Sequence, residues 1–166
     1  MSSSNSYLAL IGIGSNLDSP LTQVEQAIKR MDEHHSISIV KKSSLYRSCP
    51  QGPQDQDDFI NAVSLISTTL DPVALLEALQ ELEKDLGRQK TRHWGERVID
   101  LDILFYENDV VEEVEPHLSI PHPQSLRRDF VLIPAVEIAP DWLHPDGTAL
   151  KLLLNQCISH NLERIL

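Results

Sequence analysis

Two aspartates one residue apart, Asp100 and Asp102, lie in the stretch Arg97-Val98-Ile99-Asp100-Leu101-Asp102-Ile103-Leu104-Phe105. Read as a strand, this stretch alternates its side chains, with both carboxylates on one face and Leu101, Ile103 and Phe105 on the other. The two Cα atoms would stand roughly 6.5 to 7 Å apart, so both acids could converge on a pair of divalent ions about 3.5 to 4 Å from each other. Hard carboxylate oxygens of this kind hold Mg²⁺, with substrate phosphates usually completing its shell. The Asp-Leu-Asp pattern alone also describes an edge strand with a solvated acidic face. The segment before it tips the balance.

From Lys84 to Arg97 the chain carries Lys84, Arg88, Lys90, Arg92 and Arg97, five of its 14 Lys and Arg residues, together with His93 and Trp94. The formal net charge is −11, so a polyphosphate is repelled almost everywhere else. A basic loop running into a carboxylate pair reads as a site for a metal-chelated polyanion. A merely solvated loop is the alternative, and the segregation of the two charge signs argues against it.

The elements that must position these groups follow from periodicity. Tyr7 to Ile13 is an almost continuous apolar run, a buried strand entering a turn at Gly12-Ile13-Gly14-Ser15-Asn16. Leu17 stands where a dinucleotide-binding fingerprint needs its third glycine, and no GxxxxGK[ST] loop occurs. The glycines therefore read as turn chemistry, with close approach of backbone to a ligand as the second option. Ser19-Pro20 reads as a side-chain N-cap followed by proline at the first helical position, and Leu21, Val24, Ala27, Ile28 and Met31 form the apolar stripe of a helix over about 20 to 33. A strand over 37 to 47 follows.

Residues 48 to 58, with Pro50, Gly52 and Pro53, form a loop long enough to suspect function. A strand from Phe59 to Leu70 comes next, with Phe59 and Asn61 on one face. An aromatic ring beside an amide could stack on and hydrogen-bond a flat heterocycle, or the two could be plain core and a strand-end polar group. Asp71-Pro72 starts a second helix, closed by Gly87. The order β-α-β-β-α-β predicts an α+β fold: a ferredoxin-like core of four antiparallel strands with both helices on one face, plus a C-terminal extension. In that extension Ile120-Pro121-His122-Pro123 is extended, and Arg127, Arg128, Asp129 and Phe130 lead into an apolar run. A short helix is expected over 149 to 154.

At 166 residues, 41% hydrophobic and 23% charged, the chain suits one domain over 1–166. Its acidic balance argues against binding nucleic acid or an anionic membrane surface. Cys49 and Cys157 form no close pair, which suggests reduced thiols in a cytoplasmic protein. The first residues carry no secretory signal, and no run reaches membrane-spanning length.

Several motifs together resemble one family. Gly14-Ser15-Asn16-Leu17, Gly52-Pro53-Gln54-Asp55-Gln56 with Phe59-Ile60-Asn61, Gly87-Arg88, and above all His93-Trp94-Gly95-Glu96-Arg97-Val98-Ile99-Asp100-Leu101-Asp102-Ile103-Leu104 look like the 6-hydroxymethyl-7,8-dihydropterin pyrophosphokinases of folate biosynthesis. Ile120-Pro121-His122 and Arg128-Asp129-Phe130 fit as well. The resemblance spans nearly the whole chain. It implies transfer of pyrophosphate from ATP, the co-substrate, to the pterin hydroxymethyl group with release of AMP, by a protein expected to be a monomer.

By the same resemblance, Asp100 and Asp102 would hold two Mg²⁺ ions, with Arg88, Lys90 and Arg92 as further catalytic residues. The pterin would lie between Phe59 and Phe130, its edge read by Asn61 and by the segment containing Ser48, Cys49 and Gln51. Arg88, Trp94, Arg97, His122 and Arg128 would line the ATP side, with Gln80 and Glu83 nearby. Loops 48 to 58 and 87 to 97 would close over both substrates. The chain departs from the family's common pattern at Ser48-Cys49, often Thr-Pro; at Gln51, often apolar; at Phe59 and Pro123, often tyrosine; and at His117, often arginine. Its basic loop is one residue shorter than in some relatives, so either Lys90 or Arg92 fills the second catalytic basic position. Another Mg-dependent phosphodiesterase or nucleotidyltransferase would use the same two aspartates.

Overall fold

The computed structural model describes residues 5–17, 19–50, 55–87, 98–157 and 162–165. In chain order the first half consists of β1 (Tyr7–Ser15), α1 (Pro20–Glu33), β2 (Ile37–Lys42), β3 (Tyr46–Ser48), β4 (Phe59–Thr68) and α2 (Pro72–Asp85). The second half consists of β5 (Asp100–Tyr106), β6 (Val111–Val114), β7 (His117–Ile120), α3 (Asp129–Ile138), α4 (Leu150–Leu154) and β8 (Glu163–Arg164). One antiparallel sheet runs β5-β1-β4-β3-β8, with β2 also paired to β4. The β6-β7 hairpin forms a separate two-stranded sheet.

The helices form where apolar residues recur at helical spacing. In α1 the buried residues are Val24, Ala27, Ile28 and Met31, a single stripe turned to the sheet. Ser19 is not the side-chain cap that the sequence predicted: it sits at φ 63° without a capping bond, and its carbonyl accepts from Gln23 N–H at 3.0 Å to close the first turn. Asp71 does cap α2, accepting from Ala74 N–H at 2.8 Å. Gly87, at φ 92°, terminates α2 in a conformation that favours glycine.

The sheet is covered on both faces. Ala9, Ile11 and Ile13 pack with the stripes of α1 and α2 on one side, while Leu10, Val63, Leu65, Leu104 and Phe105 pack with Leu132, Ala135 and Ile138 of α3 and Leu150 of α4 on the other. The expected placement of α1 and α2 on one face is found; the C-terminal segment adds a second layer that periodicity did not reveal. The strand predicted over 37 to 47 is interrupted at 43–45, where Ser43 N–H donates to Val63 O and Ser43 Oγ accepts from Val63 N–H, both at 2.9 Å. The strand predicted to Leu70 ends at Thr68.

A second departure bears on function. Leu10 pairs with Phe105 but Ile11 pairs with Ile103, so Leu104 is an extra residue in β5. Strict alternation fails at this bulge. Phe105 joins Leu104 on the α3 side, and Tyr106 takes its place in the core beneath α1 and α2.

Candidate active site

Asp100 and Asp102 alternate along β5 with Leu101 and Ile103, so the two acids share the face toward α3 while the apolar pair enters the core. Both are half-buried, and both line a cavity of about 310 Å³ at this end of the sheet. Across the ladder, Gly12 pairs with Asp102 and Gly14 with Asp100. These glycines belong to β1 and form part of the cavity lining, not a turn as the sequence suggested. They are packed closely on one side: a Cβ on Gly12 would meet Leu104 Cδ2 at 3.2 Å, and one on Gly14 would meet Asn61 Oδ1 at 3.3 Å.

One wall is aromatic and amide. Phe59 and Asn61 reach the cavity from β4, Ser48 and Cys49 from β3 and its end, and Phe130 from the first turn of α3. Ser48 and Asn61 are buried, and Asn61 Nδ2 donates to Ser48 Oγ at 2.6 Å. In the β3–β4 ladder Ser48 pairs with Phe59, and Tyr46 with Asn61. The amide is therefore set beside the aromatic edge by strand register and fixed by a hydroxyl.

A second part of the lining is cationic. Arg128 leads into α3, with Nη2 donating to Gln124 Oε1 at 2.6 Å and its guanidinium carbon 5.6 Å from the Phe130 ring centre. Burial pulls its pKa below the usual arginine value, while Asp102 and Asp100 pull the other way. His122 is placed by the β5 bulge, since its N–H donates to the carbonyl of the extra residue Leu104 at 3.0 Å. Burial, and secondarily Arg128, hold the imidazole below its ordinary pKa against the opposing Asp100. It is thus neutral near pH 7, and its buried Nδ1 has no partner among the described residues.

The ends of the flanking loops are tied to β1. Asn16 Nδ2 donates to Gln56 Oε1 and to Asp57 O, both at 2.9 Å. Ser15 Oγ donates to Val98 O. On the outer edge of β5, Glu83 Oε2 accepts from Leu101 N–H at 2.8 Å, satisfying an edge amide between the two aspartates.

Of the residues singled out in the sequence, the cavity brings together Ser48, Cys49, Phe59, Asn61, Asp100, Asp102, His122, Arg128 and Phe130. Gln80 is exposed on α2, and Glu83 is buried against the edge of β5; neither is among the cavity-lining residues. Gln51, Arg88, Lys90, Arg92, Trp94 and Arg97 lie outside the described residues, as do the central parts of both loops expected to close. Sequence reasoning missed Gln124 and Ser125, and it ranked a turn ahead of close approach to a ligand at Gly12 and Gly14. For the glycines a signal was present, because two glycines spaced by two in an apolar strand face the same side.

The donor set fits magnesium. Among the described residues there is no cluster of three or more His, Cys, Asp or Glu able to hold a metal, whereas two carboxylates share an open cavity beside an arginine. Mg²⁺ is commonly bound by one or two carboxylates with substrate phosphates and water supplying the rest. No helix among the described residues is long and apolar enough to cross a membrane.

The chain is similar to known proteins along most of its length. It is 41% identical over 157 residues to the 2-amino-4-hydroxy-6-hydroxymethyldihydropteridine pyrophosphokinase of Haemophilus influenzae, covering 95% of this chain and 97% of that one. It is 39% identical over 155 residues to the enzyme of that name from Pseudomonas aeruginosa, covering 93% and 94%. Its fold matches the Plasmodium falciparum HPPK-DHPS crystal structure with pteroate at a TM-score of 0.74 and 15% identity, over 94% of this chain. It spans 43% of that longer chain. The sequence profile of the 7,8-dihydro-6-hydroxymethylpterin-pyrophosphokinases (HPPK) matches residues 10–140, and with these relatives the chain belongs to that family.

Proposed function

We propose that this cavity transfers pyrophosphate from ATP to the hydroxymethyl group of 6-hydroxymethyl-7,8-dihydropterin, in folate biosynthesis. The hydroxymethyl oxygen bonds to the β-phosphorus of ATP, the bond from that phosphorus to the oxygen of the α-phosphate breaks, and AMP leaves while the hydroxyl proton is released. The observation that carries this reading is a single cavity joining a carboxylate pair to an aromatic-amide wall. One half suits a metal-chelated triphosphate, the other a flat heterocycle.

In this reading Phe59 and Phe130 sandwich the pterin, and Asn61, oriented by Ser48, hydrogen-bonds its edge, with Cys49 and Gln51 adjoining. Asp100 and Asp102 hold two Mg²⁺ ions, which when bound neutralise triphosphate charge and align the attacking oxygen. Arg128 and neutral His122 face the phosphates, the imidazole offering a hydrogen bond without added charge. Arg88, Lys90, Arg92, Trp94 and Arg97 supply the remaining contacts to ATP, with Gln80 and Glu83 on the same side. Glu83 already meets β5 between the two aspartates. The strand order, with β5 and β4 flanking β1 and β2 and β3 beyond β4, supports a ferredoxin-like β-α-β-β-α-β core carrying the C-terminal layer.

The decisive assay follows AMP by chromatography. AMP is expected only when ATP, Mg²⁺ and 6-hydroxymethyl-7,8-dihydropterin are all present, in a one-to-one ratio with the pterin diphosphate. AMP formed without the pterin, or ADP as the nucleotide product, overturns the assignment.

A further inference from the structure

Helix α3 carries Phe130 in its first turn and Glu137 near its end, seven residues apart and so on the same side of the helix. Glu137 is occupied. Its carboxylate accepts from Ser44 N–H at 3.1 and 3.0 Å, from Ser44 Oγ at 2.9 Å and from Tyr46 Oη at 2.6 Å. Tyr46 pairs with Asn61 in the β3–β4 ladder, and Ser48, two residues on, holds the Asn61 amide. One helix thus lines the cavity through Phe130 and is bonded through Glu137 to β3, the strand paired with the one that carries Asn61.

We propose that Glu137 is a positioning residue for the pterin: by clamping α3 to Ser44 and Tyr46, it sets the gap between Phe130 and the wall formed by Phe59 and Asn61. The inference rests on the reading that the pterin lies in that gap. Face-to-face stacking tolerates little change in spacing, so the separation of the two rings decides how much of the ligand they contact. Three donors converge on one acidic group, and a carboxylate is the side chain with acceptor sites for all of them. Burial raises the Glu137 pKa, but the bonds from Tyr46 and Ser44 outweigh it and leave the group below the ordinary carboxylate value. The clamp is therefore anionic near neutrality, which makes its hydrogen bonds charge-assisted, the one from Tyr46 Oη being short at 2.6 Å.

The test uses full-length Glu137→Ala, Glu137→Gln, Tyr46→Phe and Phe130→Ala proteins, with KM measured separately for the pterin and for Mg-ATP at 25 °C. Glu137→Ala is expected to raise the pterin KM about tenfold, a modest share of what misplaced binding groups can cost, with the ATP KM within about twofold. Glu137→Gln, which keeps one acceptor oxygen but loses the charge and the second, should recover part of this, and Tyr46→Phe should give a smaller rise. A lowered melting temperature with an unchanged pterin KM would show that the clamp only holds the helix down, and would overturn the proposal. So would an equal rise in both KM values. If Glu137→Ala does not fold, Tyr46→Phe decides by the same criterion, because it removes one hydroxyl from an otherwise intact ring. Phe130→Ala tests the underlying reading by itself: an unchanged pterin KM there refutes the gap as the pterin site. A raised one beside a silent Glu137→Ala refutes the clamp alone.

Discussion

Gly12 stands directly across the β1–β5 ladder from Asp102, as Gly14 does from Asp100. Side chains directly opposite in an antiparallel pair approach within about 4.5 to 5.5 Å at Cβ, so any larger residue on β1 would occupy the space beside a carboxylate. Gly14→Val is the sharper test, since its Cβ would already press on Asn61 Oδ1 at 3.3 Å. Valine suits a strand, but shifting the buried amide strains its bond to Ser48, so the melting temperature should fall modestly. The pterin KM is expected to rise about tenfold or more from displacement of the amide. Gly12→Ala meets the end of a leucine side chain, which can yield, and should be milder. Equal effects of the two variants on the pterin KM would contradict this account.

Asp100→Asn and Asp102→Asn each remove a negative charge from the cavity and no core volume. Loss of one preorganised electrostatic contact typically lowers turnover on the order of 10²-fold or more. Each variant is expected to lose that much kcat and to need more Mg²⁺ for half-maximal rate, with an almost unchanged melting curve. Near-native turnover at limiting Mg²⁺ in either variant would remove that residue from the metal site.

Some of this arrangement was legible in the sequence. Helix α1 and the starts of α2 and β5 fall where periodicity, Asp71-Pro72 and the alternation of Asp100 to Ile103 put them, because each pattern reports a face buried against one neighbour. Phe105 was misassigned for a non-local reason: the bulge at Leu104 depends on how β5 pairs with β1, and no local pattern encodes that pairing. Gly12 and Gly14 suggest a turn in sequence but lie within β1, because glycine spacing alone does not tell a strand from its end. The α3 layer escaped notice because a helix covered from several sides lacks an amphipathic stripe, and Pro134 sits inside it. Its acid Glu137 finds its partners, Ser44 and Tyr46, more than ninety residues earlier, beyond the reach of any window.

Two tyrosines predict an alkaline limit to stability. Burial, reinforced by Glu137, pushes the Tyr46 hydroxyl from 10.0 up to about 12. Burial and neighbouring acidic groups raise Tyr106 equally, to about 12, and its hydroxyl donates to Leu70 O at 2.6 Å. A folded pKa above the unfolded one gives a contribution that is complete below pH 10 and is lost as pH rises toward 12. The melting temperature should therefore fall across that interval. Tyr106→Phe, though less stable at neutral pH, should show a shallower fall; an unchanged slope in this variant would remove Tyr106 as a cause.

Ser48 offers a test of how the amide wall is oriented. Its buried hydroxyl accepts from Asn61 Nδ2 at 2.6 Å, leaving the Asn61 oxygen toward the Gly14 side, where a pterin N–H can donate to it. Ser48→Ala removes that acceptor and leaves a buried amide hydrogen without its partner, at a cost of about 1 to 3 kcal/mol. The amide can then turn, so the pterin KM should rise while the ATP KM stays level. Ser48→Thr retains the hydroxyl and should restore the wild-type value provided its extra methyl fits. The measurement is a pair of saturation curves, one per substrate, for each variant. A Ser48→Ala protein that binds the pterin normally would mean that strand register alone aims Asn61, and the hydroxyl would then serve only to satisfy a buried amide.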